Sequence, residues 1–455
     1  MDSTRRQFVG SLGALSAASA QSQERAAARR PNVLFIISDQ WSPLASDLAG
    51  TNRMLHTPAA DSLAASGVRF GNAYCTFPLC SPSRVSLFSG RMPHETGVLK
   101  NVGSTVNLPP NSSALGELFA EAGYATGYFG KEHTGGVAYR GIQEFGNILF
   151  KGPGHMASGA VLDTVFTRDA IEFIRKPRHN PFFAVVSLIN PHDIGTQPPR
   201  ALLPGKSIVE ICSAFDYQPG KYMHGYEFPP LVPNFNALSV SACPPTAEQA
   251  GWSEREWRRF LATYYLLMEN TDWMIARLLA TLRESGLEDN TLILFTADHG
   301  EQMGAHRRVG KEVFFQECTR VPLAISWKGF IKPGQVDNGS LVSGIDVLPT
   351  LCDYAGIRIP EGLPGRSIRP LLEKKNAPWR EYLVAEINEN RMLRSGRHKY
   401  MLYGREQPVE FLFDLENDPG ETRDLAEDAG ARPVLERSRD MLASWMKATG
   451  DRRLL

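Results

Sequence analysis

No apolar run in this chain of 455 residues approaches the roughly 20 residues that a membrane-spanning helix needs, so no stable membrane insertion is expected. Net charge is also lacking: 49 Lys and Arg balance 49 Asp and Glu. That balance argues against a nucleic-acid binder that relies on bulk electrostatics. Cysteine is scarce, with six in the whole chain, too few for a disulfide framework. Cys212 and Cys243 lie in a loop-rich region and could pair. What remains is ordinary for a globular protein, 42% apolar and 22% charged residues, ample for a large core. The length allows two or three domains, or one large α/β unit with an addition.

The stretch that organises the chain is Cys80-Ser81-Pro82-Ser83-Arg84-Val85-Ser86-Leu87-Phe88-Ser89-Gly90-Arg91. Pro82 has a fixed φ and no N–H, which suits the first turn of a helix, and Gly90 stands near that helix's end. Cys80 is thereby predicted just ahead of a helix N-terminus, where backbone N–H groups and the dipole favour an anion. A buried cysteine beside an ordinary helix start would satisfy the bare C-x-P-x-R spacing equally well.

At the N-terminus, Thr4-Arg5-Arg6-Gln7-Phe8-Val9 and a mild apolar run to Ala20 resemble a twin-arginine export signal, with Ala18-Ser19-Ala20 as the cleavage pattern. Residues 1–30 are then a signal and spacer, and the protein is an exported bacterial one, periplasmic or extracellular. Such cargo crosses the membrane folded, so any modification of Cys80 precedes export. Asn32 to Ile37 is a continuous apolar run typical of a strand buried on both faces of a parallel sheet. It ends in Ser38-Asp39-Gln40, and groups at the carboxyl ends of such strands line ligand sites. Thr57-Pro58 reads as a helix cap with Pro at N1. A helix is expected over 112–122 and a strand over 124–129. That strand ends in Gly130-Lys131-Glu132-His133, with Lys131 and His133 on one side of an extended chain. Another buried strand over 181–189 ends in Asn190-Pro191-His192. A long amphipathic helix over 254–285 precedes a strand over 291–296 that ends in Ala297-Asp298-His299-Gly300-Glu301.

Lys311 then precedes a last parallel-type strand over 320–327, and 343–356 is an apolar helix. Beyond residue 373 the segments 382–388, 392–403 and 410–414 read as antiparallel strands, with an amphipathic helix over 433–449. The Pro- and Gly-rich stretches 135–158 and 195–249 read as insertions that shape a substrate mouth. Asp39, Gln40, Asp298 and His299 together bring two carboxylates, an amide oxygen and an imidazole to strand ends. They form an open site for a divalent cation. Ca²⁺ suits the oxygens best, and the imidazole keeps Mg²⁺ and Mn²⁺ in contention.

The twelve residues from Cys80 resemble the sulfatase signature, with Ser89 where Thr is usual. Gly130-Lys131-Glu132-His133, Pro191-His192, Asp298-His299-Gly300 and Phe413 to Glu421 match further motifs of that family in order, between Pro31 and Asp424. The resemblance implies an alkaline-phosphatase-like α/β fold, a large mixed, mostly parallel sheet flanked by helices. A catalytic unit over 31–372 would be followed by a small antiparallel sheet with a helix over 373–455. It implies metal-dependent hydrolysis of a sulfate ester, on a sulfated carbohydrate or small organic sulfate, with a covalent sulfo-enzyme intermediate. Cys80 would first be oxidised to formylglycine by a maturase and would complete the metal shell of Asp39, Gln40, Asp298 and His299. Arg84 would steady the aldehyde hydrate, while Lys131 and Lys311 neutralise sulfate oxygens. His133 would help deprotonate the hydrate, and His192 would protonate the departing alcohol.

Gln40 departs from the commoner Asp and removes one negative charge. The Asp-Gln…Asp-His set also resembles related phosphonate monoester hydrolases, so phosphonate monoester or phosphodiester hydrolysis at the same site is the alternative. A non-catalytic glycan-binding relative would not need the complete set of Cys80, Arg84, Lys131, His133, His192 and Lys311. His94 and His306 lie inside motif segments and could either reach substrate or pack.

Overall fold

A computed structural model describes residues 30–45, 54–146, 159–196, 228–237, 251–373 and 377–451. The export segment, Cys212, Cys243, half of the 135–158 insertion and most of the 195–249 insertion lie outside the described residues. Among the described residues no helix is long and apolar enough to cross a membrane.

The core strand is β1 (Asn32–Asp39), buried at every position. Further along lie β2 (Val68–Phe70), β3 (Ala73–Tyr74), β4 (Ala125–Gly130), β5 (Glu144–Phe145), β6 (Phe182–Pro191), β7 (Thr291–Ala297), β8 (Leu323–Ser326), β9 (Gln335–Asp337) and β10 (Val342–Ser343). Eight of these form one sheet in the order β5-β4-β6-β1-β7-β8-β2-β9. β1 lies between β6 and β7 and is parallel to both, so the carboxyl ends of the three most apolar runs emerge side by side.

Seven helices matter for the site: α1 (Pro58–Ala65), α2 (Cys80–Ser89), α3 (Leu115–Glu121), α4 (Gly159–Arg175), α5 (Glu254–Glu284), α6 (Val347–Ala355) and α7 (Arg432–Thr449). α4 and α5 pack together and against β6, while α2 packs against α3 and α6. Beyond them β11 (Tyr382–Ile387), β12 (Asn390–Ser395), β13 (His398–Tyr403) and β14 (Val409–Asp414) form a four-stranded antiparallel sheet. Its residues alternate with period two. Leu383, Ala385, Met392, Met401 and Phe413 join Phe77 and Phe314 of the main body. Val384, Leu393, Tyr400 and Leu412 instead meet Leu435, Leu442 and Met446 of α7.

Four expectations need correction. β8 runs antiparallel to β7 and to β2. The chain between β7 and β8 stays at the carboxyl end to build the site, so it re-enters the sheet from that end. The segment 392–403 is two strands, broken at Gly396, whose φ of 52° forms the turn. Thr57 makes no capping bond. The N–H groups of Ala59 and Ala60 donate instead to the carboxylate of Asp272 on α5, at 3.0 and 2.8 Å. Cys80 is the first residue of α2 rather than the residue ahead of it, with extended Leu79 as the N-cap. Gly90 closes that helix in the left-handed conformation at φ 67°, where only glycine is unstrained.

Candidate active site

The site gathers at the carboxyl ends of β1, β4, β6 and β7, with α2 pointing its first turn at them. Asp39 ends β1, Asp298 and His299 follow β7, and Cys80 opens α2. The ligand atoms of Asp39, Cys80, Asp298 and His299 all lie within 4.8 Å of one another. Cys80 Sγ is 3.3 Å from His299 Nε2 and 3.2 Å from Lys311 Nζ. Asp39 Oδ1 and Lys131 Nζ stand further out, at 3.7 and 3.9 Å.

Arg84, one turn along α2 from Cys80, is completely buried and holds the frame together. Its Nε donates to Asp298 Oδ2 at 2.7 Å and its Nη2 to Asp39 Oδ2 at 3.1 Å. Its Nη1 donates to Ser187 Oγ at 2.7 Å and to the Lys131 carbonyl at 3.1 Å. One guanidinium thus reaches both carboxylates and the ends of β4 and β6, a task its planar fork suits. Lys131 Nζ lies 2.6 Å from Asp39 Oδ2. Lys131 and His133 do not share one side of an extended chain, however. Gly130 at φ 124° and His133 at φ 50° turn the backbone between them. Lys131 enters the cluster, whereas His133 is buried with its Nδ1 unpartnered among the described residues. His192 also keeps an unpartnered Nδ1 and contributes to the positive field at Asp39.

Electrostatics follow from this packing. Burial opposes ionisation of Asp39, yet Lys131, His192, Arg84 and Lys311 hold its carboxyl well below the usual range. The Cys80 thiol is likewise pulled well below its ordinary value by Lys131, Lys311 and His299, against burial and the charge of Asp39. Burial and then the Asp39 charge push Asp298 upward. His299 Nδ1 faces the Gly300 carbonyl at 2.9 Å, which only accepts, so Nδ1 carries a proton and Nε2 is the nitrogen turned to the cluster. Crowded carboxylates and an imidazole nitrogen converging on one point are a donor set that fits a divalent cation.

The Sulfatase family model matches residues 31–357, and the model for the N-sulphoglucosamine sulphohydrolase C-terminal region matches 304–448. The chain belongs to the sulfatase family. It is a sulfuric ester hydrolase. A Delta 4,5-hexuronate-2-O-sulfatase of Bacteroides thetaiotaomicron is 31% identical, over 96% of this chain and 92% of its own. A solved 2-O GAG sulfatase superposes with a TM-score of 0.79 at 28% identity, covering 93% of each chain. The phosphonate monoester hydrolase of Agrobacterium radiobacter shares the fold, with a TM-score of 0.70 at 22% identity over 92% of this chain and 96% of that one.

In this sulfatase both His94 and His306 are engaged by other residues of the chain. His94 Nδ1 meets Glu386 of β11 at 2.6 Å. His306 stacks on Phe315 with ring centroids 3.7 Å apart. Several supporting residues had escaped sequence reasoning. Ser83 Oγ donates to the Asp298 carbonyl at 2.5 Å, and Ser187 Oγ donates to the Lys131 carbonyl at 2.7 Å. Tyr264 of α5 donates to the Gln40 carbonyl at 2.7 Å. Glu301 receives the Gln40 side chain at 2.5 Å. Ser83 and Glu301 sit inside motif segments and were visible as polar residues beside ligands. Ser187 and Tyr264 carried no such signal, because a strand serine and a helix tyrosine read as packing.

Proposed function

We propose that this sulfatase hydrolyses a sulfate ester on a sulfated carbohydrate, using residue 80 after conversion of its cysteine to formylglycine. One observation carries the reading: Cys80 is wholly buried, yet Lys131, Lys311, His299 and Asp39 converge on its side chain. A structural cysteine would sit among apolar groups, as Cys352 does in the main core. The hydrated aldehyde supplies an oxygen nucleophile where the unmodified chain has sulfur.

Asp39, Gln40, Asp298 and His299, with residue 80, would hold a divalent cation, Ca²⁺ by preference for the oxygen donors. Bound there, it would lower the pKa of a coordinated hydroxyl and stabilise charge on the transferring group. Arg84 holds Asp39 and Asp298 in place and keeps positive charge beside residue 80. Lys131 and Lys311 neutralise the sulfate oxygens, each contributing about 2–4 kcal/mol of transition-state stabilisation. His133 takes a proton from the hydrate, and His192 gives one to the departing alcohol oxygen.

The 2-O-sulfated unsaturated hexuronate named for the 31%-identical relative supports such a sugar as the first substrate to try. We further propose residues 31–372 as the catalytic unit and 373–455 as a smaller C-terminal unit. Twin-arginine export of the folded, maturase-modified chain rests on Arg5 and Arg6. The test pairs intact-protein mass spectrometry after co-expression with a maturase with rates on sulfate esters and on an aryl phosphonate monoester. The aldehyde mass at residue 80 and release of sulfate from 2-O-sulfated uronate disaccharides are expected. Active enzyme with a persistent Cys80 thiol would overturn the nucleophile. Faster turnover of an aryl phosphonate monoester than of any sulfate ester would replace the substrate class.

A further inference from the structure

Gln40 is gripped from both sides. Its Nε2 donates to Glu301 Oε2 at 2.5 Å, and its Oε1 accepts from Lys311 Nζ at 2.8 Å. A carboxylate accepts and an ammonium donates, so the amide can be seated only one way round. Its oxygen is thereby turned to the side where Lys311 approaches residue 80, at 3.2 Å. Gln40 and Glu301 are almost wholly buried, with exposures of 2% and 0%. Gln40 also sits at φ 72°, a left-handed conformation uncommon for residues other than glycine. The other Glu301 oxygen accepts from the Gly310 N–H at 2.6 Å, next to Lys311. One carboxylate therefore braces both the end of β1 and the segment that presents Lys311.

We infer that Glu301 is the positioning residue for Gln40: it aims the amide oxygen at the cation site and supplies, one residue further back, the negative charge that a carboxylate at position 40 would have carried. The inference rests on the cation site of the preceding section. In a water-free setting a short bond to a carboxylate polarises the amide, and chains of such bonds strengthen one another by roughly 10–30% per bond. Partners of this kind tune ligand basicity, and losing one costs about 10- to 100-fold in metal affinity. The loss of charge noted at Gln40 is on this account only apparent. The charge has moved from the ligand to the residue behind it.

The test is an isosteric exchange, read by calcium titration calorimetry on chelator-stripped, aldehyde-matured protein with melting temperatures in parallel. Glu301→Gln removes the charge, and Gln40→Glu sets two carboxylates against each other. Each single substitution is expected to raise the Ca²⁺ Kd about 10- to 100-fold. The double variant carries the same bond with donor and acceptor exchanged, and its Kd should return to within about tenfold of the parent, a coupling that independent sites would not show. An unchanged Kd for Glu301→Gln, even with a lowered melting temperature, would make Glu301 a structural residue and overturn the inference. A double variant no tighter than the singles would do the same. If the parent protein took up no Ca²⁺, Mg²⁺ or Mn²⁺, the cation-site reading would fall and this one with it. Cation binding without hydrolysis of any sulfate ester would sink the substrate assignment alone.

Discussion

At the ends of β1 and β7, Arg84, Asp39 and Asp298 are wholly buried and joined at 3.1 and 2.7 Å. In the C-terminal sheet, Lys399 and Glu421 are just as buried at 2.7 Å, as are Arg391 and Asp451 at 2.7 Å. The two regions therefore bury charge to the same depth, but they settle it differently. Lys399 pairs with Glu421, and the same carboxylate also accepts from the Gln316 N–H at 2.7 Å, tying β13 to the main body. At the site, Asp39 feels Lys131, His192, Arg84 and Lys311 together, and His299 Nε2 is directed at residue 80. Buried charge alone therefore does not mark function. A surplus of charged groups converging on one point does.

Substitutions on either side can break this contrast. The largest effect belongs to Cys80→Ala, which should lower kcat by about 10⁴-fold or more while circular dichroism and the urea midpoint stay close to the parent's. Lys399→Met should do the reverse. It strands Glu421 and costs about 3–5 kcal/mol of stability in urea unfolding, with kcat per folded molecule unchanged. Adding Glu421→Leu to it should recover most of that loss. A fall in kcat with either variant would blur the distinction drawn above.

A smaller effect is expected for Lys131→Ala, which should reduce kcat by about 10²–10³-fold through lost positive charge, with Arg84 still holding Asp39. The smallest concerns Glu317, whose carboxyl is raised from its ordinary 4.5 to about 7 by burial and then by the Glu421 charge. Between those values the folded protein keeps a proton that the unfolded chain has released, so stability falls as pH rises through that window. Glu317→Gln should gain about 1–3 kcal/mol over the parent at pH 8 and flatten the profile. Urea midpoints between pH 4.5 and 8 would check both parts, and an unaltered slope would place the pH dependence elsewhere.

Much of the site was legible because the fold makes it so. Strands such as β1, β6 and β7 are covered on both faces, and their unbroken apolar runs end where the polar ligands must begin. Asp39, His192 and Asp298 stand at such ends. The direction of β8 was not legible, since an apolar run of Leu323 to Ser326 reads the same parallel or antiparallel. Thr57 reads as the cap of α1 from the sequence because the acceptor in the fold, Asp272, is 213 residues from Ala59. Lys131 and His133 share a side only on an extended backbone, which the left-handed His133 denies.

By itself, then, the sequence determined the family, the strand ends at which Asp39 and Asp298 stand, and a helix beginning beside Cys80. These are local matters of periodicity, chain stiffness and motif spacing. Only the tertiary structure decided that Arg84 spans both carboxylates, that His94 meets Glu386 and His306 stacks on Phe315, and that Glu301 stands behind Gln40. Each of those contacts joins residues far apart in the chain, and its strength comes from the exclusion of water, which exists only once the sheet and helices have closed over the site.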